Sequence, residues 1–137
     1  MCGIAGCYQQ VDGPKLVGIM TDRIAHRGPD ANGTWNYEDD RVSVQLGHRR
    51  LSIIDLSAAA DQPLSKNGLT LAYNGELYNY KELRAELASL GASFVTSSDT
   101  EVVLEAAILG TGVAAPVPRD VRVRPNRRED RTAIPGT

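Results

Sequence analysis

An arginine- and proline-rich stretch beginning near residue 110 limits how much of this chain can join a packed core. Residues 111–137 hold four of the seven prolines and six of the twelve arginines, with no lysine and no aromatic residue. Six arginines against Asp120, Glu129 and Asp130 give that stretch +3, which leaves −5 on the first 110 residues for the chain's net −2. Val121 and Val123 alternate with arginines, but Pro118 and Pro125 on either side argue against a central strand. Such a composition buries too little apolar surface to offset its ordering entropy, so residues 110–137 are expected to be a disordered tail. An arginine-rich arm for RNA or an acidic partner is the less favoured use of the same residues.

Residues 1–109 have the size and pattern of one folded domain. Net charge gives no case for a nucleic-acid or membrane partner, and the apolar runs are too short to span a bilayer. No signal-peptide pattern opens the chain. Two cysteines, Cys2 and Cys7, do not make a disulfide framework, so a reducing cytoplasm is the expected location.

Small apolar residues 2–8 predict a buried strand. Pro14 then suits a first helical turn, with Leu16, Val17, Met20 and Ile24 on one helix face. Residues 26–33, with two glycines and a proline, read as a loop. Val42, Val44 and Leu46 alternate as a strand, and Leu51, Ile53 and Ile54 suggest another before a polar loop from Asp55 to Lys66. Residues 69–73 form a further strand running into Asn74-Gly75. The segment from Tyr80 to Leu90 is helical, with Leu83, Leu87 and Leu90 on one side and Gly91 as its stop. Ser98-Asp99-Thr100-Glu101 is a capping box ahead of a last helix. This order predicts an α/β (α+β) domain with a mixed or largely antiparallel sheet.

Cys2 is the most informative position for chemistry. If Met1 is removed, the thiol and a free α-amine share one residue. An ordinary α-amine titrates near ~7.7–8.0 and an ordinary thiol near ~8.5, so an amine so placed can act as base to the thiol of its own residue. A small buried residue in second place is the plainer reading. Asn74-Gly75 at a strand end is ordinarily a turn, but its side-chain amide and glycine N–H can also present two donors to one oxyanion. Arg50 can fork onto a carboxylate or remain a solvated charge. Asp99 suits a helix N-terminus and Glu76 an exposed surface; either can receive an ammonium. His26 and His48 lack metal-ligand spacing, so no metal site is expected.

Taken together, Met1-Cys2-Gly3-Ile4-Ala5-Gly6, His26-Arg27-Gly28-Pro29-Asp30, Gly47-His48-Arg49-Arg50-Leu51-Ser52-Ile53, Asn74-Gly75-Glu76-Leu77-Tyr78-Asn79 and Ser98-Asp99-Thr100-Glu101-Val102 closely resemble the glutaminase domain of glutamine-hydrolysing asparagine synthetases. These are class II glutamine amidotransferases with the N-terminal-nucleophile hydrolase fold, an αββα sandwich. The resemblance runs to about residue 108, and the His-Arg-Gly-Pro-Asp loop favours the asparagine synthetase branch.

The resemblance implies L-glutamine as substrate and Cys2 as nucleophile. Asn74 and Gly75 become the oxyanion hole. Arg50 becomes the α-carboxylate anchor, helped by backbone of Leu51, Ser52, Ile53 and Ile54, and Asp99 and Glu76 become partners of the α-ammonium. No cofactor is implied for this half. ATP and magnesium belong to a synthetase domain, which is also the family's implied partner beside a homo-oligomer. That domain and the family's next strand, similar to GMFAFA, are not found after residue 109. A truncated chain reading out of frame from there is therefore expected, and an inactive remnant that at most binds glutamine is the alternative.

Overall fold

In the computed structural model the described residues are 2–10, 15–52 and 55–110. Ile53, Ile54, Pro14 and the arginine-rich stretch lie outside them, and with them the expectations placed there. Three strands, β1 (Gly3–Gln10), β2 (Ala31–Glu38) and β3 (Val42–Arg50), form one antiparallel sheet in the order β1-β3-β2. Two short strands, β4 (Leu64–Lys66) and β5 (Leu69–Leu71), pair as a separate antiparallel hairpin. Helix α1 (Val17–Arg23) follows β1, and α2 (Tyr80–Ser89) and α3 (Asp99–Leu109) close the described part. The architecture is thus mixed α and β with antiparallel sheets, as expected. Among the described residues no helix is long and apolar enough to cross a membrane.

Strand β3 is flanked on both sides, and its residues from Ser43 to His48 are all buried. Side chains alternate across a strand, so the register puts Gly3, Ala5, Gln45 and Gly47 on one face of the sheet. Helix α1 lies on that face. A Cβ at Gly47 would meet Val17 Cγ2 at 2.8 Å and overlap Thr21 Cγ2, so the bare glycine lets the helix settle on the strand. Gln45 Oε1 accepts from Val17 N at 3.2 Å and steadies the helix start. The buried side of α1 is therefore Val17 and Thr21, while Leu16 and Met20 remain partly exposed. Of the expected face, Val17 and Ile24 do meet the sheet, Ile24 over Gly3, while Thr21 takes the place expected of Leu16 and Met20 because of the space over Gly47.

Strand β2 begins inside the stretch read as loop, at Ala31, because its backbone finds β3 as partner. Conversely, the expected strand at Leu51 is not one at residues 51–52. The polar loop before Lys66 holds a single 3-10 turn at Ala58–Ala60 and then β4. Helix α2 ends at Gly91, φ +98°, with Ala92 N donating to Leu87 O and Gly91 N to Ala88 O, the double closure of a Schellman motif. It packs on α3 through buried Leu83, Leu87 and Val102, ringed by Leu77, Tyr80, Phe94 and Ala106.

Helix α3 is capped by Ser98, whose hydroxyl accepts from Glu101 N at 3.3 Å. The return half of the capping box is diverted. Glu101 instead accepts from Val95 N and from the Thr96 backbone and hydroxyl, and pairs with Lys66 of β4. Burial pushes its carboxyl up, but these donors outweigh burial and leave it below the ordinary range. Lys66 also pairs with Glu105, so one lysine fastens the hairpin to α3.

Candidate active site

A cavity of about 420 Å³ opens on the face of the three-stranded sheet opposite α1. Arg50, at the end of β3, shares the alternation of Val44 and Leu46 and so projects to this face. Cys2, one residue ahead of β1, lines the cavity with it. Also around the cavity are Leu51, Asn74, Gly75, Glu76 and Asp99, so seven of the residues singled out in the sequence meet in one space. Ser52 is not among the lining residues; its N–H donates to Asp30 Oδ2 at 2.8 Å and ties the strand end to the His26–Asp30 loop.

The Cys2 sulfur sits beside Leu51, whose N–H points at it from 3.4 Å while Leu51 O lies at 3.7 Å. Arg27 Nε donates to Cys2 O at 3.2 Å and fixes the backbone behind the thiol. Both cysteines are free thiols.

Arg50 is 7% exposed and its guanidinium is already engaged. Nη1 donates to Ser57 O at 2.9 Å and to Asp61 Oδ1 at 2.6 Å, and Nη2 donates to Asp55 O. Three of its five N–H donors therefore gather the loop around the cation. Asp55 closes that loop from the other side. One carboxylate oxygen accepts from Ser57 N and Oγ, and the other from Ser97 N and Oγ, all at 2.7–2.9 Å. These donors, the Ser57 hydroxyl foremost, hold the Asp55 carboxyl well below the usual carboxylate range.

A depressed carboxyl stabilises the fold at pH values above its unfolded pKa of about 3.9, and that contribution is lost as pH falls towards the folded value. Asp55→Asn is therefore expected to cost about 1–3 kcal/mol at pH 7. Urea midpoints should show that gap narrowing below about pH 4. A gap of constant size from pH 7 to pH 3 would refute the assignment.

On the other wall, Asn74, Gly75 and Glu76 are exposed, whereas Asp99 is 6% exposed. Leu77 N donates to Asp99 Oδ2 at 3.0 Å, which leaves the second oxygen of Asp99 for another donor. The Tyr73 phenol packs against Gly75, where a Cβ would meet its oxygen at 2.7 Å. Burial, then the charges of Asp99 and Glu76, pushes the Tyr73 hydroxyl up, so it stays neutral. The space thus offers a sulfur, one buried cation, a buried carboxylate and an exposed Asn-Gly pair. That set complements a small zwitterion carrying an electrophilic carbon.

Asp55 and Gln62, which stand in none of the motifs, also line the cavity, as do Tyr73, Tyr78, Ser98 and Thr100, to which sequence reasoning assigns no site role of their own. Gln62 had no local signal, since its partners Tyr73 and Thr100 lie 11 and 38 residues away, and although Ser57 is a local partner of Asp55, its tie to the other wall runs to Ser97, 42 residues away.

A family model described as a glutamine amidotransferase domain matches residues 1–115. The asparagine synthetase [glutamine-hydrolyzing] 1 of Bacillus subtilis is 45% identical over 112 residues, covering 76% of this chain and 17% of that protein. Asparagine synthetase [glutamine-hydrolyzing] 3 of the same organism is 38% identical over 116 residues, 79% of this chain and 18% of the relative. Amidase chry2 of Gibberella zeae is 49% identical over 85 residues, 61% of this chain and 12% of that protein. The chain spans less than a fifth of the length of these relatives.

Proposed function

The chain belongs to the glutamine amidotransferase domain family, and on that premise we propose that its cavity hydrolyses the side-chain amide of glutamine. What carries this reading is the meeting of Cys2, Arg50, Asn74, Gly75 and Asp99 around one cavity. With Met1 removed, the Cys2 α-amine takes the thiol proton and the thiolate attacks the amide carbon. Asn74 Nδ2 and Gly75 N–H receive the oxyanion. Collapse of the tetrahedral species breaks the C–N bond, the α-ammonium returns its proton to the departing nitrogen, and ammonia leaves a thioester on Cys2. Water, deprotonated by the same amine, then releases glutamate and restores the thiol.

Asp99 and Glu76 hold the substrate ammonium in this reading. The two Arg50 donors without a partner among the described residues face the α-carboxylate, beside Leu51. The thiol, the amine and the fixed donors supply all the chemistry, so no cofactor is needed. The two antiparallel sheets fit the αββα sandwich of N-terminal-nucleophile hydrolases. Ammonia from this half would feed a synthetase domain, in keeping with the names of the Bacillus relatives.

Incubation with a diazo-keto norleucine tests the reading, with the labelled peptide located by mass spectrometry and ammonia release followed from glutamine. Label at Cys2, absent from Cys7, together with glutamine-dependent ammonia supports it. Label no higher at Cys2 than at Cys7, with no ammonia, rejects it. Asn74→Ala is expected to lower kcat about 10²–10³-fold, the usual cost of one oxyanion donor, with KM little changed.

A further inference from the structure

Gln62 is 8% exposed, and its side-chain amide joins two walls of the cavity. Its Oε1 accepts from Tyr73 N at 2.5 Å, and its Nε2 donates to the Thr100 hydroxyl at 3.1 Å. Tyr73 immediately precedes Asn74-Gly75, and Thr100 immediately follows Asp99. The Gln62 carbonyl lies so close to Gly33 of β2 that a Cβ there would overlap it, which seats the residue on the three-stranded sheet. The segment from Asn74 to Glu76 is consequently pinned at both ends, by Gln62 through Tyr73 and by Asp99 through Leu77.

We propose that Gln62 is a positioning residue that sets the separation between the Asn74-Gly75 donor pair and Asp99. This rests on the glutaminase reading. The ammonium and the side-chain amide of a bound amino acid are a fixed number of bonds apart. Once Asp99 holds the first, the donors meet the second only if the walls keep their spacing. Misplacement by about 1 Å can cost ~10²-fold in rate. Gln62 touches neither the sulfur nor the substrate in this scheme; it acts through the two segments it ties.

Three variants separate positioning from mere folding. Gln62→Met keeps the length and removes both bonds, Thr100→Val removes one at constant shape, and Thr100→Ser keeps the hydroxyl. Cys2 is titrated to completion with the norleucine electrophile so that turnover is counted per competent site. The expected result is a kcat per titrated site about 10–100-fold lower for Gln62→Met. Thr100→Val should show a smaller fall and Thr100→Ser should recover most of it, with KM for glutamine changing less than kcat. Amide exchange at Leu77, whose own acceptor is untouched, should accelerate in Gln62→Met while the β1–β3 amides stay as in the parent. Unchanged kcat per titrated site, with only fewer titratable sites, overturns the proposal. If the parent turns over no glutamine, the glutaminase reading fails by itself and exchange still decides the tie: no acceleration at Leu77 overturns it.

Discussion

Cys2→Ala is expected to reduce glutamine hydrolysis by at least about 10³-fold and to abolish electrophile labelling at position 2. Deleting a covalent nucleophile elsewhere costs up to ~10⁶, because only the oxyanion donors and substrate binding remain. Stability should hardly move, since Cys2 is half-buried and its backbone remains held by Arg27. Urea midpoints equal to within ~0.5 kcal/mol would show this. The sharper comparison keeps the thiol and removes the amine. A chain extended by two residues ahead of Cys2 turns the α-nitrogen into a peptide N–H, which cannot accept a proton. Loss of a general base typically costs ~10²–10⁴-fold, so the extended chain should sit between the parent and Cys2→Ala. In the parent, kcat/KM should fall as pH drops through the α-amine's range near ~7.7–8.0, because the protonated amine is no base. An extended chain as active as the parent would leave the thiol as nucleophile but remove the amine from the mechanism.

The parts of the fold legible in the sequence are those whose signal is local. Leu83 and Leu87 recur one turn apart and do face α3, and Ser98 does cap it. Gly91 ends α2 as its position predicted. Strand β2 shows the limit. Its outward residues Asn32, Thr34, Asn36 and Glu38 are polar, and its half-buried ones, Ala31, Gly33, Trp35 and Tyr37, mix small with aromatic. Such a strand exists because β3 offers it a ladder, not because its own pattern demands one. Leu90 was grouped with Leu83 and Leu87, yet it is 55% exposed, since only two turns of α2 meet α3. At the site, five motifs in register marked Cys2, Arg50, Asn74, Gly75 and Asp99. That Arg50 also gathers the loop carrying Asp55, Ser57 and Asp61 follows only from the folded backbone. A residue expected as a substrate anchor is at the same time the pin of its own pocket wall. Arg50 substitutions would therefore confound binding with loop order.

The largest stability effect should come from Leu87→Ala. Leu87 has no exposed surface and fills the space between Leu83 on its own helix and Val102 on α3. Truncating it removes the burial of three carbons, a methine and its two methyl groups, and leaves a cavity that these two helices can close only by moving together. Leu→Ala at such sites costs about 2–5 kcal/mol, a large part of the ~5–15 kcal/mol that holds a domain folded. Leu90→Ala, on the same helix but exposed, should cost under ~0.5 kcal/mol. Urea unfolding of the two variants makes the comparison, and equal midpoints would mean that α2 does not dock on α3 through Leu87. The damage should reach the cavity as well. Val102 lies one turn after Asp99, and Leu77, which donates to Asp99, packs on the same cluster. Loosening α2 thus frees both the carboxylate and its backbone donor. Leu87→Ala should raise KM for glutamine at temperatures where the protein is still folded, because local opening of α3 competes with binding. The core beneath the site and the geometry of the site are in that sense one property, since the side chains that exclude water from α2 and α3 also aim Asp99 into the cavity.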